Sequence, residues 1–320
     1  MNEFSLIERY FSGAQHGESV VAGVGDDGAI LQVGTDKQLV TSIDTLVSGV
    51  HFPQDAAPND IARRALRTNL SDLAAMGASP LGFTLALTIP GVKEDWLAPF
   101  SSALLEDAAT FSCPLVGGDT TAGLLTISIA VFGAVPAGQA LMRSGAKPGD
   151  HIYVTGTLGD AAAALSLIKH LNVDLQRISE YLLSRFYQPI PRLQEGVRLR
   201  GIASSALDVS DGLLADLGHI TCQSGVGAEI FLHKLPLSAA LKSIIREDAQ
   251  VIQWALTGGD DYELCFTVPE KQVDIVEAMI SLGELEASAI GHIVEGDSVV
   301  CIGRQGEVLN CDVGGYQHFC

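Results

Sequence analysis

Two adjacent carboxylates, Asp26 and Asp27, lie in a glycine-rich turn that directly follows the short apolar run of residues 19–22. Neither aspartate has a basic neighbour in the sequence. Two like charges about 4 Å apart repel by roughly 1 kcal/mol in water, and by more where solvent is restricted. The turn therefore predicts a cation site after a strand, or else an ordinary acidic surface turn. For a cation site we favour Asp27 as the ligand, with Asp26 ordering the turn.

The same turn matches the G-x-G-x-x-G fingerprint of dinucleotide-binding folds through Gly23, Gly25 and Gly28. In those folds a helix begins at the third glycine and points its N-terminus at the pyrophosphate. Residues 29–33 instead form a short apolar run that stops at Gly34, which predicts a strand and a turn. The pattern therefore disfavours a dinucleotide site.

Other apolar runs also lead into an aspartate. Residues 38–43 predict a strand that ends at Asp44, and residues 206–209 predict a strand that carries Asp208. An acid at the end of a buried strand lies on the rim of a sheet, where ligand sites are commonly assembled. Asp44 could equally initiate an ordinary turn.

Four more acids lie in glycine-containing segments, Gly117-Gly118-Asp119, Ser210-Asp211-Gly212 and Gly258-Gly259-Asp260-Asp261. The first glycine pair allows close approach of a ligand to the backbone, or forms a simple turn. Asp211 precedes an apolar stripe at helical spacing, so it could cap that helix without any metal.

The helix predicted over residues 61–76 places Asp72 within its apolar arc. A carboxylate on the buried side of a helix must be paired, hydrogen-bonded or bound to metal. Thr68 and Asn69 lie beside it and could satisfy it without a metal. The opposite side of this helix carries Arg64, Arg67 and Ser71.

Charge and cysteine content limit the possible partners and compartments. The 320 residues carry 38 acids and 19 bases, a formal charge of -19, which disfavours binding to nucleic acid or to an anionic membrane. The six cysteines never form a C-x-x-C pair, which favours reduced intracellular thiols over a zinc site. With neither a signal-peptide pattern nor an apolar run of membrane-spanning length, we expect a cytoplasmic protein.

Predicted strands and helices alternate in both halves, so we expect a mixed α/β fold in two domains. The turn-rich segment 138–150 predicts a linker between an N-terminal domain, 1–137, and a C-terminal domain, 151–320. Arg143 and Lys147 stand out there in an acidic chain. They are candidates for phosphate contact, although a solvated linker would look the same.

The candidate ligands are nearly all oxygen donors, which favours Mg²⁺ or Mn²⁺ over zinc or copper. Several such ions beside glycine-rich turns suit a nucleoside triphosphate. The sequence contains no G-x-x-x-x-G-K-[ST] loop, no H-R-D catalytic loop and no G-x-S-x-G elbow. These absences exclude P-loop and protein-kinase folds and give serine acyl chemistry little support.

An ordered set of motifs runs through most of the chain: Gly25-Asp26-Asp27, Ser42-Ile43-Asp44-Thr45, His51-Phe52, Asn69-Leu70-Ser71-Asp72, Gly117-Gly118-Asp119-Thr120, Arg143-Ser144-Gly145, Ser210-Asp211-Gly212-Leu213, Asp261-Tyr262-Glu263 and Gly315-Tyr316-Gln317-His318-Phe319. Together they resemble the thiamine-monophosphate kinases of the aminoimidazole-ribonucleotide synthetase superfamily. The resemblance implies an N-terminal sheet domain that dimerises and a C-terminal α/β domain. It also implies transfer of phosphate from ATP to thiamine monophosphate by direct in-line attack, in a homodimer that uses several magnesium ions.

The resemblance further implies roles for individual residues. Magnesium would be bound by Asp27, Ser42, Ile43, Asp44, Asp72, Asp119, Asp208 and Asp211. ATP would be contacted by Asp27, Gly118, Asp119, Arg143 and Ser210. Thiamine monophosphate would be contacted by His51, Asp260 and Tyr316. Asp260 departs from the Glu often found in the family, and His51 on its own would be taken as structural.

Two alternatives remain open at this stage. A hydrogenase-maturation dehydratase of the same superfamily uses a C-terminal cysteine, and Cys320 is present, but Tyr316-Gln317-His318-Phe319 matches the kinases instead. A non-catalytic module that binds magnesium and nucleotide would carry many of the same motifs.

Overall fold

The computed structural model describes residues 9–11, 19–22, 30–170, 180–244 and 248–309. They fall into two compact units, one drawn from Met1–Leu73 and Ala78–Ala140, the other from Ala74–Gly77 and Leu141–Cys320. Both units combine strands and helices, as the mixed α/β prediction requires. No helix in the described ranges combines the length and the apolar character needed to cross a membrane.

The first unit is built on a four-stranded sheet with the order β3-β6-β4-β5. The pairs β3–β6 and β4–β6 are antiparallel, and β4–β5 is parallel. The strands of this sheet are β3 Lys37–Val47, β4 Ser79–Ile89, β5 Leu115–Ala122 and β6 Thr126–Pro136. The preceding strands, β1 Val20–Ala22 and β2 Ile30–Leu31, form a separate two-stranded sheet. Its helices are α1 Pro58–Ala75, whose last two residues belong to the second unit, and α2 Glu94–Thr110.

One face of this sheet forms the core of the first unit. Ile127, Ile129 and Val131 of β6 are fully buried, whereas the residues between them are only partly buried. This alternation arises because successive side chains of a strand point to opposite faces. Gly133 leaves room for Leu73 of α1, since a Cβ there would come within 2.9 Å of a Leu73 methyl carbon. Helix α1 therefore covers the buried face.

The side of α1 that carries Arg64, Arg67 and Ser71 is covered as well. Arg64 and Ser71 are only 3% and 0% exposed. The Arg64 Nε donates to the carbonyl oxygen of His51 (3.1 Å), and the Arg67 Nε donates to Asp107 of α2 (2.5 Å). A helical wheel shows which side is polar, but it cannot show that a second helix and a loop will pack there.

The second unit is built on a seven-stranded sheet with the order β13-β12-β9-β11-β7-β10-β8, antiparallel except for the β9–β12 pair. Its strands are β7 His151–Thr155, β8 Ser205–Asp208, β9 Gly227–Phe231, β10 Leu264–Val268, β11 Ala287–Val294, β12 Val299–Ile302 and β13 Val308–Leu309. Its helices are α3 Asp160–His170, α4 Glu180–Tyr187, α5 Leu193–Leu199, α6 Leu213–Ser224, α7 Ala239–Ile244, α8 Asp248–Thr257 and α9 Glu270–Ser281.

The core of the second unit lies between its sheet and two helices. Ile152, Leu207 and Ile230 of the sheet pack in one buried cluster with Leu217 of α6 and Ala255 of α8. The apolar stripe predicted after residue 212 is thus the buried face of α6. Helices α4, α7 and α8 had no clear signal in the sequence.

Candidate active site

In the first unit, three of the predicted ligands lie together between β3 and α1. Ser42 and Asp44 are alternate residues of β3 and share the face that looks towards α1. The Ser42 hydroxyl donates to Asp72 Oδ2 at 2.6 Å, and the Asp44 backbone N–H donates to Asn69 Oδ1 at 3.0 Å. The sequence predicted that the strand ends at Asp44. This prediction is wrong, because β3 remains paired with β6 as far as Val47.

This cluster holds two carboxylates close enough to influence one another. Burial, and then the charge of Asp72, raise the pKa of Asp44 to about 6. Asn69 is engaged with Asp44 and with the Ala65 carbonyl (2.9 Å), and Thr68 donates to the same carbonyl (3.4 Å). The oxygen-rich site fits a hard divalent cation, because such an ion would relieve the repulsion that Asp44 feels.

Asp119 lies on β5 and pairs across the sheet with Thr45, the residue after Asp44, through two intermediate strands. Asp119 pairs with Ala86 of β4, Ala86 pairs with Ser128 of β6, and Ser128 pairs with Thr45 of β3. The Thr45 and Ser128 hydroxyl oxygens are 2.7 Å apart on that face. Register therefore places Asp119 on the face of Thr45, opposite to that of Asp44, and within this unit the two predicted ligands are not brought together.

The glycines before Asp119 do not form a turn, because β5 runs through them from Leu115 to Ala122. Gly118 has a φ of +159°, and a Cβ on it would lie 2.0 Å from the Leu85 carbonyl oxygen. A glycine is therefore required here by the neighbouring strand.

His51, in the loop after β3, makes three hydrogen bonds with Val47 and with Arg64 of α1. Its Nδ1 accepts the Val47 N–H (3.0 Å), its own N–H donates to the Val47 carbonyl (3.0 Å), and its carbonyl accepts from Arg64. Because Nδ1 accepts a hydrogen bond, the neutral ring carries its proton on Nε2. His51 is thus ordered by its own loop and presents a defined tautomer.

In the second unit, Asp208 is the last residue of β8, and the turn Ser210-Asp211-Gly212 follows it. The sequence alternative of Asp211 as a helix cap is wrong. Gly212 occupies the N-cap position, and the carboxylate that caps this turn is that of Asp216, from the first turn of α6. Its Oδ2 accepts from the N–H groups of residues 210, 211 and 212 at 3.0, 3.0 and 3.1 Å.

Asp216 is a residue that the sequence analysis missed. The only signal was an acid in the first turn of a predicted helix, where an acid is common for reasons unrelated to function. Burial, opposed by the three backbone hydrogen bonds and reinforced by the charge of Asp211, raises the pKa of Asp216 to about 7.

The loop that carries Asp260 is hydrogen-bonded to this same turn. The Asp260 N–H donates to the Ser210 carbonyl (2.9 Å), and the Tyr262 N–H donates to the Val209 carbonyl (2.8 Å). Asp260 and Tyr262 both have left-handed φ values, +72° and +51°. Two separate sequence motifs, one predicted for metal and ATP and one predicted for substrate, therefore meet within the second unit.

A buried ionic network follows Asp260 in the sequence and holds its loop in place. Glu263 is fully buried and accepts from Arg192 (2.6 and 2.9 Å) and Arg185 (2.7 Å). Asp261 is also fully buried, and its Oδ2 accepts the Gly159 N–H at 2.8 Å. Burial raises the pKa of Asp261 well above its usual range, and the charge of Arg185 opposes that shift. These residues anchor the loop.

Arg143 is exposed and lies in a segment that belongs to the second unit. The neighbouring Met142 carbonyl accepts the Ala206 N–H of β8 (2.9 Å), and the N–H groups of Gly145 and Ala146 donate to Ser224 of α6 (both 3.2 Å). Arg143 is thereby placed beside the edge strand whose last residue is Asp208.

The remaining predicted site residues, Asp27 and Tyr316, lie outside the described residues, as does the whole turn 23–29. Among the residues that the structure does describe, no group of three or more His, Cys, Asp or Glu side chains is arranged to hold a metal ion. The described acids supply pairs and single ligands only.

The fold and these motifs define a class of protein. Residues 25–135 match the model of the AIR synthase related protein, N-terminal domain, and residues 147–304 match that of the AIR synthase related protein, C-terminal domain. The chain thus has the two-domain AIR synthase-like fold.

The similar proteins narrow this class further. Thiamine-monophosphate kinase from Escherichia coli (strain K12) is 47% identical over 321 residues, which cover 99% of this chain and 98% of that protein. A crystal structure of thiamine-monophosphate kinase from Stenotrophomonas maltophilia K279a matches at 44% identity and a TM-score of 0.85, covering 91% of this chain and 93% of that one. AaThiL complexed with AMPPCP and TMP matches at 30% identity and a TM-score of 0.79, covering 92% of each chain. The chain belongs to the thiamine-monophosphate kinase family.

Proposed function

We propose that this protein phosphorylates thiamine monophosphate with ATP, giving thiamine diphosphate and ADP by direct in-line transfer. The observation that carries the proposal is the junction of the Ser210-Asp211-Gly212 turn with the Asp260 loop. It brings residues expected at ATP next to a residue expected at the phosphate acceptor. Positioning and charge stabilisation can do most of the work of phosphoryl transfer, and a phosphate nucleophile needs no strong base.

The metal ligands of this proposal are oxygen donors. Magnesium ions, when bound, supply positive charge that links the phosphates of ATP to the carboxylates of the protein. The cluster of Ser42, Asp44 and Asp72 supports this assignment because it holds two interacting carboxylates in a partly buried site. The full proposed set is Asp27, Ser42, Ile43, Asp44, Asp72, Asp119, Asp208 and Asp211.

The substrate contacts follow the same division. ATP is contacted by Asp27, Gly118, Asp119, Arg143 and Ser210, and thiamine monophosphate by His51, Asp260 and Tyr316. The Nε2 proton of neutral His51 suits donation to a phosphate oxygen, because its Nδ1 is already an acceptor within the loop.

We also propose a homodimer, joined through the face of the first sheet that α1 does not cover. Leu39 and Ile43 of β3 are 53% and 65% exposed on that face. Large apolar side chains exposed together on an edge strand favour association with a second sheet.

The proposed domain limits are 1–137 and 151–320, with 138–150 between them; the change of compact unit between Ala140 and Leu141 supports this division. We propose a cytoplasmic location, supported by the free, buried thiols of Cys113 and Cys265.

The direct test is a coupled assay of the purified protein with ATP, magnesium and thiamine monophosphate, with free thiamine as the control substrate. We expect ADP release with thiamine monophosphate only. ATP binding without turnover would support a non-catalytic module, and turnover of thiamine alone would overturn the assignment. Cys320→Ala should keep full activity; a complete loss would favour dehydratase-like chemistry.

Within this reaction, Asp72→Asn should lower kcat by about 100-fold or more, because the amide cannot supply the negative charge that a bound cation needs. The fold should persist, since the amide oxygen can still accept from Ser42. Asp95→Asn, an exposed acid of α2, is the matched control and should be silent. Near-normal rates for Asp72→Asn would show that Asp72 is not a ligand of the metal.

A further inference from the structure

A single buried carboxylate organises the turn at residues 210–212. Asp216 is 3% exposed, and one of its oxygens, Oδ2, accepts three successive backbone N–H bonds from Ser210, Asp211 and Gly212. N–H groups ahead of the first turn of a helix have no partner within the helix. The side chain of Asp216 therefore replaces the missing partners and fixes the path of the turn.

The turn has little freedom to reach the same path without this anchor. Gly212 has a φ of +116°, and a Cβ there would lie 2.8 Å from the carbonyl carbon of Thr257. In the same segment as Thr257, a Cβ at Gly259 would lie 2.4 Å from the Ser210 carbonyl oxygen. The backbone of the turn is thus confined between Asp216 beneath it and residues 257–259 beside it.

The neighbouring Asp260 loop has anchors of its own. Although its N–H donates to Ser210, the loop is held independently by the Asp261 contact to Gly159 and by Glu263 between its two arginines. Loss of the Asp216 anchor should therefore disturb residues 210–212 far more than Asp260.

From this geometry we propose that Asp216 is a positioning residue of the reaction: it sets the direction in which Ser210 and Asp211 meet the magnesium-bound triphosphate. The inference deepens the proposed function and rests on it. Asp216 acts through the backbone of the turn and does not itself touch the substrates.

The test compares wild type, Asp216→Asn and Ile220→Ala in the coupled assay. At pH 8, above the pKa of Asp216, Asp216→Asn keeps the size of the side chain but replaces the charged acceptor with a neutral one, which accepts N–H bonds more weakly. It should raise the KM for magnesium-ATP at least tenfold and change the KM for thiamine monophosphate by less than threefold. Ile220→Ala, in the buried face of the same helix, controls for lost stability and should lower Tm without moving either KM. An unchanged KM for magnesium-ATP in Asp216→Asn, at whatever Tm, overturns the proposal.

Two measurements keep the inference separate from the proposed function. Calorimetry with magnesium and the non-hydrolysable analogue AMPPCP should show at least tenfold weaker binding in Asp216→Asn than in wild type, whether or not thiamine monophosphate is turned over. Amide hydrogen exchange in wild type, which needs no folded variant, should show protection at residues 210, 211 and 212. Equal AMPPCP affinity in wild type and Asp216→Asn, or exchange at these amides as fast as in an exposed loop, would overturn the positioning role of Asp216. Absence of turnover in wild type would instead overturn the proposed function.

Discussion

At the scale of single residues, the second unit concentrates buried charge around Glu263. This carboxylate is bonded to Arg185 and Arg192, whose side chains are 5% and 8% exposed, and it also accepts the hydroxyl of Thr155 at 2.6 Å. A buried ion pair adds little net stability compared with apolar packing, but removal of one partner leaves the other charge unpaired. Each charged partner of this network is therefore needed for the stability of the folded protein.

Glu263→Gln should reduce the free energy of unfolding by about 3–5 kcal/mol, because two buried guanidinium groups lose their main counter-charge. Chemical denaturation monitored by circular dichroism measures this. The control is Glu270→Gln, which removes the exposed partner of His151 and should have little effect, since such surface pairs contribute about 0–1 kcal/mol. Equal losses in the two variants would contradict the importance of burial.

His292 is a second residue whose surroundings set its ionisation. Burial, and then the positive charges of His151 and Lys234, lower its pKa below the ordinary value of 6.5. Its ring packs edge-on against His151, with centroids 4.4 Å apart. Because folding lowers the pKa of His292, the unfolded state binds this proton more strongly than the folded state. The contribution of His292 to the free energy of unfolding is therefore fully present above pH 6.5 and is lost as the pH falls through the folded pKa.

An NMR titration should therefore find the midpoint of His292 below 6.5. Lys234→Met should move that midpoint upward, because it removes one of the neighbouring positive charges. A midpoint at or above 6.5 in the native protein would show that burial and these charges do not act as described.

At the scale of elements, β5 depends on a glycine at position 118. Its parallel pairing with β4 brings Gly118 against the Leu85 carbonyl oxygen, with no space for a Cβ. The next residue of the strand is Asp119, so a packing requirement and a proposed binding role coincide at Gly118 and its neighbour.

Gly118→Ala should displace β5 from β4 and cost about 1–3 kcal/mol, seen as a lower Tm. Gly91→Ala is the matched control, because a Cβ at Gly91 meets nothing within 4 Å. Equal Tm values for the two variants would show that β5 accommodates the added carbon.

At the scale of the whole molecule, the two faces of the first sheet differ in their covering. One face is packed against α1, whereas β3 leaves Leu39 and Ile43 exposed on the other. A second copy of the chain would bury these side chains in the proposed dimer.

Leu39→Asp should convert the dimer to a monomer, because it places a charge within the apolar contact. Sedimentation velocity distinguishes the two states. Ile275→Asp, which adds the same charge at an exposed isoleucine of α9, should leave the dimer intact. A wild-type monomer at micromolar concentration, or loss of association in both variants, would refute the proposed interface.

Sequence reasoning worked best where a local pattern had one structural solution. Periodicity located α1 and β8 to within a few residues, because such apolar patterns are local. It failed for the strand path through Asp44, because the pairing of β3 with the distant strand β6 continues to Val47. It also failed for the cap of α6, because the nearby carboxylate of Asp216 takes the place expected for Asp211.

The sequence by itself determined the mixed α/β class, the family and the identity of the acids available for a metal site. These depend on residue types and spacing, which folding does not change. Only the tertiary structure decided which acids come together: Asp44 with Asp72, and the 210–212 turn with Asp260, while Asp119 lies on the other face of its sheet. The reason is that strand register and helix packing, both set by long-range contacts, fix which side chains share a face.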